Sequence, residues 1–462
     1  MKIKNILFAI VVFTGVHHSA SAQQENLDRI RDKFRKAGEV NRQEKLFVHT
    51  DKAFYLAGEI VWFKLYAEQQ SLLSSIAYVD LLDVTGKTVL AARISLQDQK
   101  DNGSMLLPLS LSSGNYKLRA YTSNMRNLAE ESFFEQPITV INPFREPTPA
   151  NPVHTNAHEA AFFPEGGNLV KGLESKLAFK VTDHYGNGID CSGEIVDISG
   201  KTIVGFSSLK FGMGQLLFTP VSQGYRAIIR TAGDTFSVSL PEVMENGYVM
   251  SVQKVAGNME VTVKSTHTAP HYISLVSRHH DRLLTTQSSL ISNGRLTFTI
   301  PANKLGAGVN QLTLFDATNI PVCERLVFIP PPVTSIAGTS TDKKVYSTRE
   351  QVNISVNTND TARRAVPANL SLAVVPVDSF NASDAADIRS YFWMSADLKG
   401  HIESPSYYFG TPSPELETAT ENLMLTHGWR RFNWKRILNP SVTSNRFPVE
   451  AGTQEIKVKV TG

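Results

Sequence analysis

Cysteine is nearly absent from this chain: Cys191 and Cys323 are its only two in 462 residues. Neither sits in a Cys-x-x-Cys or other zinc-binding spacing, so a disulfide scaffold and a zinc module are both excluded. The two thiols fall in different strand-rich blocks, where they either pair across a domain contact or stay as small buried side chains. Charge of one sign is also lacking, the formal net charge being +3. Taking away Lys2 and Lys4 with an N-terminal leader leaves +1 (3 − 2). So balanced a chain projects no global field toward a polyanion, which argues against nucleic acid as a partner. Long apolar runs are missing too. The only one, Ile6 to Val16, is about half the ~20 residues that a membrane-spanning helix needs.

Catalytic and phosphate-binding signatures are likewise absent. There is no Gly-x-Ser-x-Gly elbow and no His-Glu-x-x-His pair. Gly86-Lys87-Thr88 and Gly200-Lys201-Thr202 lack the glycine five residues upstream that a phosphate loop requires, since Leu81 and Ile195 stand there. Both read as hairpin turns. His154 and His158 lie in a proline-rich stretch, and His267 and His271 flank Pro270. The triplet His279-His280-Asp281 is the best histidine cluster. Neighbours on a strand point to opposite faces, so it reads as a solvated polar loop rather than a chelate. The expected inventory is therefore no catalytic residue, no cofactor and no metal.

The N-terminus supplies the first positive signal. Lys2 and Lys4 precede the apolar run, and Ala20-Ser21-Ala22 follows it, the order of a secretory signal peptide over residues 1–22. Residues 23–44 predict an amphipathic lead helix, with Leu27, Ile30 and Phe34 on one face, packed on the first domain. Beyond Lys45 the period changes to two. Val61, Phe63 and Leu65 alternate with Trp62, Lys64 and Tyr66, a strand with two unequal faces. Short strands with Gly and Pro turns at intervals of roughly ten residues predict an all-β chain of serial sandwiches. The blocks are 45–143, 160–241, 242–329 and 333–462, with a Pro-rich linker over 144–159 and a helical insertion in the last block at about 380–440.

Two internal echoes support related domains. Thr50-Asp51-Lys52-x-x-Tyr55-x-x-Gly58-Glu59 recurs as Thr341-Asp342-Lys343-x-x-Tyr346-x-x-Arg349-Glu350. Asp83-Val84-Thr85-Gly86-Lys87 is echoed by Asp197-Ile198-Ser199-Gly200-Lys201. The insertion carries helix signals from Ser413 to Leu438: Ser413 as cap, Pro414 at the first position, Glu415 and Glu417 in the first turn, and Asn439-Pro440 as a stop. Its end is aromatic and basic. Trp429, Arg430, Arg431, Phe432 and Trp434 either form a protein-docking surface or pack on their own domain.

Lys45 through Thr50-Asp51-Lys52, Tyr55, Gly58-Glu59 and Val61-Trp62-Phe63-Lys64 resembles the second macroglobulin-type domain of the alpha-macroglobulin family. Phe163-Pro164-Glu165-Gly166-Gly167, with Phe179-Lys180 and Gly212-Met213-Gly214, resembles the domain that follows it. Asp397-Leu398-Lys399-Gly400 and Leu423 to Phe432 look like a group of bacterial envelope proteins. In that group macroglobulin-like domains precede a carboxypeptidase-regulatory-like domain and a TonB-dependent-receptor plug. The thioester sequence Cys-Gly-Glu-Gln is absent, and Cys323-Glu324-Arg325 does not replace it. The resemblance implies a non-catalytic structural or protein-binding module, exported to the periplasm or outer membrane of a Gram-negative bacterium. The N-terminal region of a receptor-linked protein is one form of it. The implied partners are other envelope proteins, outer-membrane receptor components or proteases among them. The alternative is a thioester-independent protease inhibitor with a cleavable segment in residues 400–415. An enzyme whose site assembles between domains is the third class, and the expectation is against it.

Overall fold

The computed structural model describes residues 27–36, 43–68, 72–97, 101–128, 132–146, 158–375, 387–428, 434 and 446–451. The signal peptide and most of the Pro-rich linker lie outside them.

The chain is all-β and its strands build sandwiches in series. In the first, β1 (Leu46–Thr50), β3 (Ile60–Ala67) and β6 (Asn102–Leu106) form one sheet in the order β1-β3-β6. The facing sheet runs β2 (Phe54–Leu56), β8 (Phe134–Ile141), β7 (Gly114–Thr122), β4 (Ile76–Leu82), β5 (Thr88–Ser95). Val61, Phe63 and Leu65 point inward onto Val79, Leu118 and Val140, as the period of two requires.

The second sandwich pairs β14 (Met213–Phe218), β11 (Ser175–Thr182) and β9 (Glu159–Pro164) against β13 (Thr202–Ser207), β12 (Ser192–Val196), β15 (Arg226–Arg230) and β16 (Thr235–Ser239). A short parallel pair, β10 (Leu169–Val170) with β17 (Val243–Met244), closes one end. The third sets β18 (Tyr248–Val255), β19 (Asn258–Ser265) and β22 (Arg295–Pro301) against β21 (Arg282–Ile291), β20 (His271–His279), β23 (Gly308–Phe315) and β24 (Pro321–Ile329).

Of the block expected from 333 onward, the described residues hold one pair of strands. Strands β25 (Ser335–Thr341) and β26 (Ile354–Asp360) pair as a ribbon whose Ile336, Ile354 and Val356 are exposed. Among the described residues no second sheet closes over it. The insertion that interrupts this block, opening with the short helix α2 (Ile388–Ser390), is used elsewhere. Residues 387–428 wedge between the three sandwiches, where Met394, Leu398, Ile402, Tyr408, Leu423 and Met424 make a core of their own with Met213 of β14, Val309 of β23 and Leu326 of β24.

The lead helix α1 (27–36) buries Leu27, Ile30 and Phe34, the face that the spacing predicts. It packs on the third sandwich and not on the first. Ile30 and Phe34 cover Val276 and Phe315, outward-facing apolar residues of β20 and β23 that need shielding from water. Arg278 is buried beneath it, its guanidinium 5.6 Å from the Phe34 ring centre, and burial drives its pKa down to about 9.

Two buried charge clusters hold the sandwiches together. In the first, the Lys45 ammonium, just before β1, donates to Asp397 (2.9 Å) and to the Phe392 carbonyl (3.2 Å) of the wedge. His280, at the β20–β21 hairpin, stands 3.0 Å from that nitrogen and 3.5 Å from Asp397. In the second, Glu165 Oε1 accepts from Arg325 Nε (3.0 Å) of β24 and from the Val252 amide (3.0 Å) of β18. Phe163-Pro164-Glu165-Gly166-Gly167 is therefore the joint between the second and third sandwiches. Gly166 has φ +82°, and its amide carbonyl accepts from Glu324 N. A Cβ there would lie 3.2 Å from the Met250 amide nitrogen. Gly308 (φ +90°) makes a similar approach, since a Cβ would meet the Trp393 carbonyl of the wedge at 2.9 Å.

Helix α3 (Pro414–Thr426) opens as expected, with Ser413 Oγ accepting from Leu416 N (3.1 Å). It stops at Thr426 rather than running to Leu438, because the backbone turns extended at His427 (φ −109°, ψ 124°). His427 then turns inward, its Nε2 3.2 Å from Lys180 Nζ and 3.3 Å from the His401 carbonyl. Burial, and next the Lys180 charge, lower its pKa to about 4.

Two outcomes test this joint and this histidine. Arg325→Met leaves the Glu165 carboxylate buried without its cation and costs about 3–5 kcal/mol, whereas the Arg325→Met/Glu165→Leu pair recovers much of that. Urea-melt midpoints of the singles and the double give the coupling directly. For His427 the folded pKa lies below the unfolded one, so the unfolded chain binds the extra proton. Stability is complete above about pH 6.5 and falls by about 3 kcal/mol as pH drops toward 4, and His427→Gln flattens that part of the curve. Urea midpoints measured across this range report the slope.

Candidate protein-docking face

Of the five residues expected to dock a partner, Trp429, Arg430, Arg431 and Phe432 lie outside the described residues. Trp434 is buried, not offered to a partner. Its indole donates to Thr313 Oγ1 (2.8 Å), and its ring meets Phe315 edge-on at 4.8 Å and Phe34 at 5.9 Å. It is the peg that fixes α1 to the third sandwich.

An open apolar face lies instead on the first sandwich. The register of β1-β3-β6 sets Phe47 opposite Tyr66, His49 opposite Lys64, Trp62 opposite Ser104 and Ile60 opposite Leu106 on the outer side of the sheet. Ile60, Trp62 and Leu106 are exposed, Trp62 to 57%. Trp62 heads the strand alternation noted in the sequence. The missed signal was that Ile60, Trp62 and Tyr66 make the second face of β3 apolar as well. A strand greasy on both sides either is covered or waits for a cover.

Half of that face is covered. Residues 369–375 pass over β1, anchored where Ser371 Oγ meets His49 Nδ1 (2.6 Å) and accepts from Tyr66 Oη (2.7 Å), and where Asn369 donates to Asp101 (3.0 Å). Between this segment and β1 lies a cleft of about 530 Å³, with Val48, Thr50, Leu370, Ala373 and Asp387 among its walls. Burial lowers the His49 pKa below its usual 6.5, the Asp51 charge pulling weakly the other way, so the ring is neutral at pH 7.

The Thr-Asp-Lys repeat shapes the mouth of this cleft. Asp51 Oδ1 accepts from Tyr55 Oη (2.6 Å) and from Trp62 N (3.0 Å), while Lys52 pairs with Glu59 (2.8 Å), whose carboxylate also takes Leu56 N (2.7 Å). The second copy repeats every bond: Tyr346 and Asn353 N to Asp342, Lys343 to Glu350, and Ser347 N to Glu350. The spacing thus encodes one hydrogen-bonded corner, used twice. In the first copy the left-handed position is Gly58 (φ +90°). In the second Arg349 holds it at φ +67°.

Other residues singled out from the sequence resolve into structure. Gly86 and Gly200 sit at φ +82° and +84° in hairpin turns where Asp83 and Asp197 accept from the backbone of Thr85 and Lys87, and of Ser199 and Lys201. Cys191 and Cys323 are buried free thiols, and burial raises the Cys323 pKa to about 12. His279-His280-Asp281 is solvated only in part: Asp281 is exposed, while His280 joins the Lys45–Asp397 cluster and burial lowers the His279 pKa to about 4. The segment expected to be open to cleavage is packed only in its middle: Ile402, Pro405 and Tyr408 are buried, and the stretches 400–401 and 410–415 on either side are exposed.

No protein-family model and no curated protein matches the chain. Among solved structures it is similar to an Escherichia coli alpha-2-macroglobulin activated by porcine elastase, at 10% identity over 69% of this chain and 33% of that one, TM-score 0.23. A Salmonella alpha-2-macroglobulin mutant matches at 12% identity over 69% and 25%, TM-score 0.18. Three N-terminal domains of the outer capsid protein Hoc of bacteriophage RB49 match at 10% over 61% and 96%, TM-score 0.16. The chain spans a third or less of the length of these two macroglobulins. Serial sandwiches are read from the sheets themselves.

The packing of the wedge makes a cleavage prediction. Under limited proteolysis of the folded chain, cuts within 400–415 fall in the exposed 400–401 and 410–413 and spare 402–409. Terminal sequencing of the fragments decides it, and early cleavage inside 402–409 would show that this core opens readily.

Proposed function

We propose that the chain is a non-catalytic, exported module of the cell envelope that holds or recognises another protein. The observation that carries this reading is the exposed Ile60–Trp62–Leu106 face on a body of three sandwiches clamped by buried charges. Contiguous exposed apolar side chains around a tryptophan mark protein-binding surfaces, and a rigid support lowers the ordering cost of binding. The macroglobulin resemblance of the Thr-Asp-Lys corner supports a module of that type, placed in the periplasm or at the outer membrane. Among the described residues no helix is long and apolar enough to cross a bilayer. A protease-trapping role needs a segment held open for cleavage, and within 400–415 only the exposed stretches 400–401 and 410–415 are placed to serve as one.

The test is capture from a bacterial envelope extract by the immobilised chain, compared with Trp62→Ser. Trp62 is mostly exposed, so this change moves stability by less than about 0.5 kcal/mol, while the captured partner falls at least about tenfold. Equal capture by both proteins would discard this face. Fractionation of cells with an antibody to residues 333–462 then separates the two arrangements. A product near the 51.0 kDa of this chain in the soluble periplasm favours a free-standing module, and a much larger one in the outer membrane favours the receptor-linked form.

A further inference from the structure

The five-stranded sheet of the first sandwich holds a short piece of chain from far along the sequence. Tyr78 of β4 and Tyr121 of β7 face each other in register and stack at 5.5 Å, on the side opposite the core residues Val79 and Ala120. Residues 446–450 lie against the end of this face. There the Asn127 side-chain amide grips both main-chain groups of Phe447. Its Oδ1 accepts from the Phe447 amide (3.0 Å), and its Nδ2 donates to the Phe447 carbonyl (2.7 Å). The Arg126 guanidinium stands 3.8 Å from the Phe447 ring centre, a cation–π contact. Three residues on, the Glu450 carbonyl accepts from Ser75 N (2.7 Å) and Ser75 Oγ (2.6 Å), and the Glu450 carboxylate accepts from Tyr78 Oη (2.8 Å). These contacts read a ring followed by a carboxylate, and little else, since Arg446, Pro448 and Val449 are exposed. Hydrogen bonds and one ring contact, with no residue of the segment fully buried, hold a free peptide only loosely. Belonging to the same chain puts the segment at a local concentration of about millimolar, which keeps the seat filled.

We propose that Ser75, Tyr78, Arg126 and Asn127 form a peptide-recognition seat and that residues 447–450 are a latch that the chain itself places in it. A peptide with an aromatic residue followed three positions later by a glutamate displaces the latch. The seat belongs to the sheet that faces β1-β3-β6 across the sandwich, so it does not depend on the Trp62 face. Displacement frees 446–450 alone, because the Lys45–Asp397 and Glu165–Arg325 pairs that join the sandwiches lie elsewhere.

The probe is a fluorescein-labelled peptide of residues 445–451 with an amidated C-terminus. Anisotropy follows its titration with the full chain and with the Phe447→Ser/Glu450→Ala variant, whose latch no longer fits. Saturable binding to the variant is expected, at least about tenfold tighter than to the unaltered chain, where the chain's own latch competes. N-methylating the peptide's Phe amide removes the donor to Asn127 and weakens binding about fivefold, and Ala in place of its Phe or its Glu does likewise. These changes touch the peptide alone, so folding of the protein does not enter. Amide hydrogen exchange on the unaltered chain gives a second reading. With the peptide in excess at about millimolar, the Phe447 amide loses protection while the Ser75 amide keeps it, now bonded to the incoming glutamate's carbonyl. Absent binding to the folded variant, or binding indifferent to N-methylation, overturns the seat. Equal affinity for the two chains overturns the latch. Should the variant not fold, unchanged exchange at Phe447 under excess peptide overturns displacement by itself.

Discussion

Everything in this molecule is arranged around an ion pair that water does not reach. Lys45 and Asp397 are 2% and 1% exposed, and they join the first strand of the first sandwich to a helical segment from the far end of the chain. Burying two charges costs several kcal/mol each, and the cost is recovered only when geometry and further hydrogen bonds are right. The Phe392 carbonyl and His280 complete that geometry, which brings the third sandwich to the same point. A pair of this kind tolerates one arrangement of its surroundings. The first sandwich, the third sandwich and the wedge therefore keep a single mutual placement, and the Glu165–Arg325 pair imposes the same condition on the second.

Much of the local structure was legible in the residues. Alternation identified β3 because its inward and outward side chains differ, and Ser413-Pro414-Glu415 announced the start of α3 because each residue suits the unsatisfied end of a helix. The Thr-Asp-Lys repeat was legible in a stronger sense. Its spacing matches a closed set of hydrogen bonds, and both copies make them. What stayed hidden is contact between distant parts of the chain. Phe34 reads as an apolar helix face, but nothing local says that its cover is Val276, Phe315 and Trp434. Nor does the insertion advertise that it serves the three sandwiches before it.

The docking face shows the same divide. The aromatic and basic run after α3 drew attention because Trp and Arg dominate interfaces, yet the described member of that run, Trp434, is an internal peg. Trp62 was visible as part of an alternation, but its exposure depends on how far 369–375 extends over the sheet, a tertiary fact. The histidine cluster misled for the opposite reason. A polar hairpin tip ordinarily faces water, and here docking of the wedge and of Lys45 half-buries its two histidines.

The clasp also sets a timetable. Lys45 and Asp397 are 352 residues apart in the chain. At about 5–20 residues per second, the ribosome adds the partner roughly 20 to 70 seconds after the lysine has emerged. Until that partner arrives, the sandwiches completed so far are beads on a string, each with its own core, their joining surfaces wetted and their charges hydrated. The molecule becomes one body only when a segment made near the end of synthesis slides between parts made at the beginning. A lesion in residues 387–428 would therefore leave well-folded beads that never close, a failure of assembly rather than of folding.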